Sequence, residues 1–425
     1  MRSVRHSGGQ IIGLLDVGTS KVACLIVALE PRGPSILAGM DTAFRVLGFG
    51  HQRSRGLKAG VITDLAEAEV AVKATVDQAE RMAGMTLDDV YVSVACGRLK
   101  SDVFAANADV DGGVVARRHL HRVLDGARAY AERDGRMLVH LNRVGYRLDG
   151  APGGGDPRGL AADKLTADFH AVTADEAPVR NLMTLVERCY LGVAGLVVAP
   201  YASALAATST EERRLGVTVI DIGGGVTSLA LFADGKFVHA DTIPVGGHHM
   251  TFDIARGLQT PLAHAERIKA LYGTLSSAPS DGREAFSFPL AGDDEAGVVS
   301  KTTKADLSEI LRPRLASIVG LVDERLEQCG LRAWAGERVV LTGGASQLVG
   351  CGAFVANLLG APVRVSAPDA AAALPTAVSM PPFSTVAGLV AAATSGEGIV
   401  AIGQERDTLG QGYLGRVGSW LREGF

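Results

Sequence analysis

The clearest hydrophobic pattern in the chain lies at 217–232, VTVIDIGGGVTSLALF, where two runs of apolar and β-branched residues flank Asp221 and three glycines. Such runs on either side of a glycine cluster predict a strand, a tight turn and a second strand. The glycines Gly223, Gly224 and Gly225 let the backbone approach a bound group closely, and their N–H groups can converge on an anion. Asp221 would repel a bare phosphate, so the pattern makes sense with Mg²⁺ between the two, usually through water. A second copy lies 205 positions earlier (221 − 16), where IIGLLDVGTSKVACLIVAL at 11–29 sets Asp16, Gly18, Thr19, Ser20 and Lys21 between apolar runs. Two Asp-x-Gly hairpins predict a duplicated architecture gripping one phosphate chain from both sides. At 338–360 a short apolar strand, the turn Gly343-Gly344 and a helix beginning near Ser346 follow one another. That junction admits a flat or anionic ligand against a helix N-terminus.

Elsewhere the pattern sketches the domains. A helix is predicted over 65–83 with Asp64 as its N-cap. Strand at 89–96, helix at 119–133 and strand at 136–148 then read as a small α+β module interrupting a larger domain. The first half of domain I is expected over 1–83, the inserted module over 84–163, and the remainder of domain I over 164–204. A domain II core follows over 205–259, with a turn at Gly246-Gly247 and a helix opening near Met250, capped by Thr251 or a neighbour. Residues 260–331 form a peripheral subdomain ending in a long amphipathic helix, which Pro313 offsets or kinks. The chain returns to the domain II core over 332–394, and 395–411, Gly-rich and polar, reads as a flexible linker.

Composition narrows the function classes. A chain of 425 residues with 47% hydrophobic residues supports two or more sizeable cores, and a net charge of −4 gives no electrostatic reason to expect nucleic acid. Five scattered cysteines without a CxxC pair favour reduced thiols in a cytosol, and no Cys/His spacing completes a metal site. No signal peptide is apparent, and Asp16 and Lys21 argue against a transmembrane reading of 11–29.

The last fourteen residues, GYLGRVGSWLREGF at 412–425, have a different character. On a helix Tyr413, Leu414, Val417, Trp420, Leu421 and Phe425 share one face, with Arg416, Ser419, Arg422 and Glu423 opposite. Trp420 flanked by arginines suits a lipid headgroup boundary. Burying each large side chain stabilises by about 1.5–3 kcal/mol, and an arginine near anionic lipid adds about 1 kcal/mol. Ordering a short helix that contains Gly415 and Gly418 offsets much of this, at about 1–2 kcal/mol per residue. One copy binds membrane weakly, and many copies on an oligomer bind firmly.

In chain order, DVGTSK, DIGGGVTS and LTGGASQL resemble the two phosphate loops and the adenosine loop of the actin superfamily, which also includes sugar kinases and heat-shock chaperones. With the inserted module and the tail added, the chain from about residue 11 to 425 resembles the FtsA family of bacterial cell-division proteins. SRGLKAGVITDL at 54–65, PVGGHHMTFDIARGL at 244–258, AERIKALYG at 265–273 and STVAGL at 384–389 look like that family as well. The resemblance implies an α/β, actin-like two-domain fold with duplicated phosphate-binding β-hairpins and an inserted small α+β module.

It also implies ATP and Mg²⁺ as cofactors. Gly18, Thr19, Ser20 and Lys21 would meet the terminal phosphates, with Gly223, Gly224, Gly225, Val226 and Thr227 opposite, and Gly246 and Gly247 also at the nucleotide. Asp16 and Asp221 would hold hydrated Mg²⁺; Gly343, Gly344, Ala345 and Ser346 would border adenosine; Glu266 and Lys269 would face ribose and base. Without the resemblance, Glu266 and Lys269, three apart on one helical face, read as a solvated ion pair. The family commonly has GGGTTD, whereas Val226 and Ser228 stand here for the first Thr and the Asp. Tight ATP binding with slow or negligible turnover is therefore expected. The implied partners are further copies of the chain in a filament, membrane lipid, other division proteins on the inserted module, and the C-terminal peptide of the tubulin-like FtsZ. Arg312 and Arg314, on the long helix of the peripheral subdomain, could meet that peptide if it is acidic. The implied location is the cytoplasmic face of the bacterial inner membrane at the division site. The competing readings are a small-metabolite kinase of the same superfamily and an actin-like pilus-assembly adaptor, neither of which needs the amphipathic tail.

Overall fold

The computed structural model describes residues 10–30, 43–132, 135–153, 155–276, 280–292, 299–331, 337–368 and 374–399. Two five-stranded sheets carry the two halves. In the first, the strands run Gly192–Val198, Asp89–Val94, Ile11–Val17, Lys21–Glu30, Ala43–Arg53 across the sheet. In the second they run Val363–Val365, Val339–Thr342, Val217–Ile222, Thr227–Ala233, Lys236–Ile243. Both sheets have the same plan: an antiparallel meander of three strands, with two parallel strands added beyond its first strand. The duplication expected from the two hairpins is therefore present throughout both sheets. Their central strands are almost wholly buried, as sheets covered on both faces require.

Helix Leu65–Ala83 begins where the sequence predicts, with the Asp64 carboxylate accepting from the Glu67 N–H at 3.0 Å. It lies close on the first sheet because Gly48 and Gly50 have no side chains. A Cβ on either would stand about 2 Å from the Ala79 or Thr75 carbonyl oxygen. The halves are joined by two crossing helices, Ala199–Ala207 and Ser384–Ser395, both rich in small apolar residues and largely buried. Gly388 sits against Ala202, where an added Cβ would lie 1.7 Å from the carbonyl oxygen.

The limits of the inserted module differ from the sequence reading of 84–163. Strand Asp89–Val94 belongs to the first large sheet, parallel to Ile11–Val17. Strand Lys164–Asp175, assigned above to domain I, is central in the module's own sheet, between Lys100–Asp109 and Arg136–Leu148. Helix Arg117–Ala131 covers that sheet through Leu120, Val123, Leu124 and Ala127. A strand's alternation shows that it is half buried, not which sheet it joins. The module meets domain II through Ser101, whose hydroxyl bonds the Ala240 carbonyl and accepts from its N–H, and through Asn142, whose amide donates to the Phe237 carbonyl.

The long helix of the peripheral subdomain, Lys304–Gln328, runs unbroken through Pro313 and buries Leu307, Leu311, Leu315, Ile318 and Val322. Past Ser395, the start of the expected linker is held to the body. Gly398 accepts from the Leu141 N–H at 3.1 Å, and Ile399 bridges to His140. The rest of the linker from 400 on and the amphipathic segment 412–425 lie outside the described residues. Among the described residues no helix is long and apolar enough to cross a membrane.

Gly388→Ala is expected to destabilise the protein by about 3 kcal/mol, because backbone rather than a flexible side chain blocks the added methyl. Thermal unfolding reads this directly. An unchanged melting temperature would mean that the two crossing helices part freely.

Candidate functional site

The two hairpin turns are built alike. Gly18 N–H donates to the Lys21 carbonyl at 3.0 Å, and Gly223 N–H, 205 positions on, donates to the Val226 carbonyl at 2.9 Å. The turns meet edge to edge. A Cβ on Gly225 would stand 2.6 Å from Thr19 Cγ2, and one on Gly224 would stand 2.7 Å from the Ser20 side chain. Only glycine permits this approach. The N–H groups of Thr19, Ser20, Gly224 and Gly225 take no acceptor among the described residues. Four backbone donors are thus gathered where the halves touch, an arrangement suited to a polyanion.

Asp16 and Asp221 occupy matching register positions just before the two turns. Ser93 donates to Asp16 at 2.6 Å, and Thr385 donates to Asp221 at 3.4 Å. Burial pushes Asp221 up to about 6, opposed by Lys21 and assisted by the negative charge of Asp16. Asp16 is likewise raised by burial and lowered by Lys21 and the Ser93 hydroxyl. Lys21 itself is lowered by burial, although both carboxylates favour its charge, and its ammonium lies 5.0 Å from the centre of the Phe383 ring. One cation therefore serves two carboxylates, one from each half, Asp16 buried and Asp221 half-buried. Such a set fits a hydrated divalent cation, which would supply the charge that burial withholds.

The third glycine loop closes on the same place. Gly343, at φ +87°, lies so near Asp221 that a Cβ would stand 2.2 Å from its Oδ1. Gly344 faces open space. Of the other two residues expected at adenosine, Ala345 lies beside Gly247, where an added Cβ would stand 3.5 Å from its own Cβ. Ala345 is buried, and the Ser346 hydroxyl donates back to the Gly343 carbonyl at 2.7 Å. A short 3₁₀ turn, Gly344–Gln347, occupies the expected helix start, and the α-helix begins only at Cys351.

Thr227 also departs from expectation as a side chain: it is fully buried and its hydroxyl donates to the Val245 carbonyl at 2.8 Å. Val226 packs beside Gly60, whose N–H donates to Thr19 Oγ1 at 2.8 Å, so the 54–65 loop covers the first turn. Gly246 and Gly247 begin a helix, Gly247–Leu258, rather than a separate turn. Gly247 and His248 N–H groups donate to the Gly223 and Gly224 carbonyls, at 2.9 and 2.7 Å, which locks that helix onto the second hairpin. Thr251 lies inside this helix, not at its cap.

Glu266 and Lys269 form more than a solvated pair. Lys269 Nζ donates to Glu266 at 2.8 Å, to Thr251 Oγ1 at 2.7 Å and to the Gly247 carbonyl at 3.0 Å. Burial works against the Glu266 charge, yet Lys269 and Thr251 hold its carboxyl below the usual range. Arg314 is paired with Asp253 through two bonds of 2.6 and 3.0 Å, and Arg312 donates to the Leu275 carbonyl and Ser308 while its guanidinium lies over Phe354. Ser93, Thr385, Phe383 and His248 complete the site. STVAGL signals the Thr385 segment, whereas nothing local in the sequence marks Ser93, 77 residues from Asp16.

A separate, partly open cavity of about 180 Å³, lined by His140, Asn142, Tyr201, Arg213, Ser395 and Glu397, lies where the inserted module, domain II and the last helix meet. It lacks the opposed glycine turns and the paired carboxylates, so the hairpin junction is the stronger candidate for a nucleotide.

Comparison with known proteins gives consistent likenesses. A family model described as cell division protein FtsA matches residues 218–388, and one described as the SHS2 domain inserted in FtsA matches 96–173. The cell division protein FtsA of Agrobacterium fabrum is 40% identical over 435 aligned positions, covering 100% of this chain and 97% of that protein. FtsA of Escherichia coli K12 is 30% identical over 434, covering 99% and 100%. Among solved structures, a chain of the PilM–PilN type IV pilus biogenesis complex superposes with a TM-score of 0.61 at 17% identity, covering 90% of this chain and 98% of that one. That likeness bears on the fold alone, which is actin-like and two-domained.

Asp221 provides a test with a definite sign. Its folded value of about 6 lies above the ordinary 3.8, so the folded state binds the proton more tightly than the unfolded chain. Stability falls as pH rises between those values, and the cost persists above them. Asp221→Asn is therefore expected to stabilise the nucleotide-free protein above pH 6 by about 3 kcal/mol, with the gain vanishing below pH 4. Denaturation across that range checks it; a wild type more stable at pH 7 would mean that attraction to Lys21 outweighs burial.

Proposed function

The chain belongs to the FtsA family of cell-division proteins, and on that premise we propose an ATP-dependent scaffold that assembles on the cytoplasmic membrane at the division site. In this reading it anchors FtsZ filaments there and recruits later division proteins. The observation that carries the nucleotide part is the gathering of four unpaired backbone N–H groups beside two carboxylates, Asp16 buried and Asp221 half-buried. Thr19, Ser20, Gly224 and Gly225 would hold the phosphates by their N–H groups, and Lys21 would neutralise them. Asp16 and Asp221 would hold Mg²⁺ through water, and the cation would screen the phosphate charge. Gly343 and Gly344 would leave room for adenosine, and Glu266, fixed by Lys269, would accept from the ribose.

Turnover is the weak part of this machinery. The Thr227 hydroxyl is committed to the Val245 carbonyl, and Ser228 stands buried where the family commonly has Asp. Neither that hydroxyl nor the family's carboxylate is thus offered to a water at the terminal phosphate, and ATP acts by holding the halves together rather than by being consumed. Self-association multiplies the weak membrane affinity of the segment 412–425. The inserted module, hydrogen-bonded to domain II at Ser101 and Asn142, offers its outer surface to other division proteins. The FtsZ peptide is assigned to the peripheral subdomain, where the Arg314 side chain keeps a third of its surface exposed despite its pairing with Asp253.

Co-sedimentation with anionic liposomes, with and without ATP, tests the scaffold reading. The full chain is expected to pellet, and a chain ending at Gly410 to remain in solution. Undiminished pelleting of the shorter chain would exclude the tail as anchor, and rapid ATP turnover by either form would favour an enzyme instead. Arg314→Glu is expected to weaken FtsZ peptide binding by about tenfold, read as titration of the labelled peptide. Intact affinity would remove Arg314 from the contact.

A further inference from the structure

The two hairpins do not account for His248. Its side chain stands over the junction of the turns: a Cβ on Gly224 would lie 3.1 Å from His248 Nε2 and 2.7 Å from the Ser20 side chain. Its position is fixed from behind, because its own N–H donates to the Gly224 carbonyl at 2.7 Å within the first turn of helix Gly247–Leu258. The imidazole and the Ser20 side chain thus both crowd Gly224, and the free N–H groups of Gly224 and Ser20 mark the phosphate side of the cleft. We propose that His248 is a third wall of the nucleotide cleft, taking a proton from water as the phosphate chain of ATP binds and so making affinity for the triphosphate fall as pH rises.

The surroundings set the sign. Lys269 and Glu266 face the ring from helix Leu262–Tyr272, Arg53 from strand Ala43–Arg53, and His249 from its own helix. The first turn presents uncharged Ser20, since Lys21 turns toward Asp16 and Asp221, and the second turn presents only glycine. Burial and then Lys269 hold His248 below the ordinary imidazole value of 6.5, with Glu266 opposing and Arg53 and His249 adding to the depression. The ring is neutral in the nucleotide-free cleft at pH 7. A triphosphate brings negative charge within reach and favours the imidazolium. No bond breaks in this step; a proton passes from solvent to a ring nitrogen. Binding that takes up a proton is strongest below the free value and weakens as pH rises through the bound one. ADP, lacking the terminal phosphate, shifts the ring less, so the preference for ATP is itself greatest at low pH.

The inference rests on the ATP-binding reading, and one set of titrations separates the two. Calorimetry of the full chain with magnesium-saturated ATP, at pH 6 and pH 8 in buffers of different ionisation enthalpy, gives affinity and proton uptake together. The wild type is expected to bind about three- to tenfold more tightly at pH 6 and to take up a fraction of a proton near pH 7. His248→Gln, which keeps an N–H donor without the titration, is expected to lose both the uptake and the pH dependence. His248→Lys, with a fixed charge, is expected to bind tightly at both values. Melting temperatures confirm that both variants are folded. Uptake that persists in His248→Gln, or wild-type binding independent of pH, would overturn the role of His248 and leave ATP binding standing. Absence of ATP binding at every pH would overturn both.

Discussion

Two carboxylates from opposite halves of the molecule share one half-buried lysine, and the arrangement of the rest follows from that constraint. Asp16 is buried and Asp221 half-buried where their sheets meet, and Lys21 alone among the neighbours shifting them carries positive charge. Burying such a set is unfavourable unless charge is balanced and the remaining lone pairs are bonded. Ser93 and Thr385 supply the bonds, each from a different strand or helix. The one lysine leaves the set with a net negative charge, which a hydrated cation would balance.

Close backbone approach is the second requirement. The turns touch because glycine stands at Gly224 and Gly225, and Gly343 comes within reach of Asp221 for the same reason. Beneath them the small-residue crossing at Gly388 and Ala202 holds the halves at a fixed separation. The crossing and the cleft are thus mechanically linked, since any relative rotation of the halves changes both. A ligand that draws the turns together acts on the same joint that carries Ser384–Ser395.

That helix also leads to the tail. Beyond Ser395 the chain stays on the body through Gly398 and Ile399, beside His140 of the inserted module. Gly398 is at φ +72°, and a Cβ there would stand 2.0 Å from the His140 ring. His140 and His170 share the Asn142 carbonyl oxygen, while Asn142 reaches the Phe237 carbonyl of domain II. Both imidazoles are held far below their ordinary range by burial, so they serve as fixed neutral hydrogen-bonding groups and not as switches. The inserted module, domain II and the root of the tail thus converge on one buried polar cluster.

The sequence alone determined the two Asp-x-Gly hairpins, their 205-residue spacing, the capped helix after Asp64 and the glycine loop at Gly343. These are local matters: a glycine turn, a cap and an apolar alternation are decided by residues close together in the chain. Which sheet a strand joins is not local. Asp89–Val94 and Lys164–Asp175 alternate in much the same way, and only their partners place one in domain I and the other in the inserted module. The direction of a side chain at a site is likewise settled by neighbours distant in sequence. The Thr227 hydroxyl goes to the Val245 carbonyl, 18 residues on, and the Ser346 hydroxyl turns back to Gly343. Lys269 became part of a network through Thr251 and Gly247, contacts that no spacing along one helix reveals. The chain's own pattern names the elements that can hold a nucleotide, and tertiary packing decides which atoms remain free to do so.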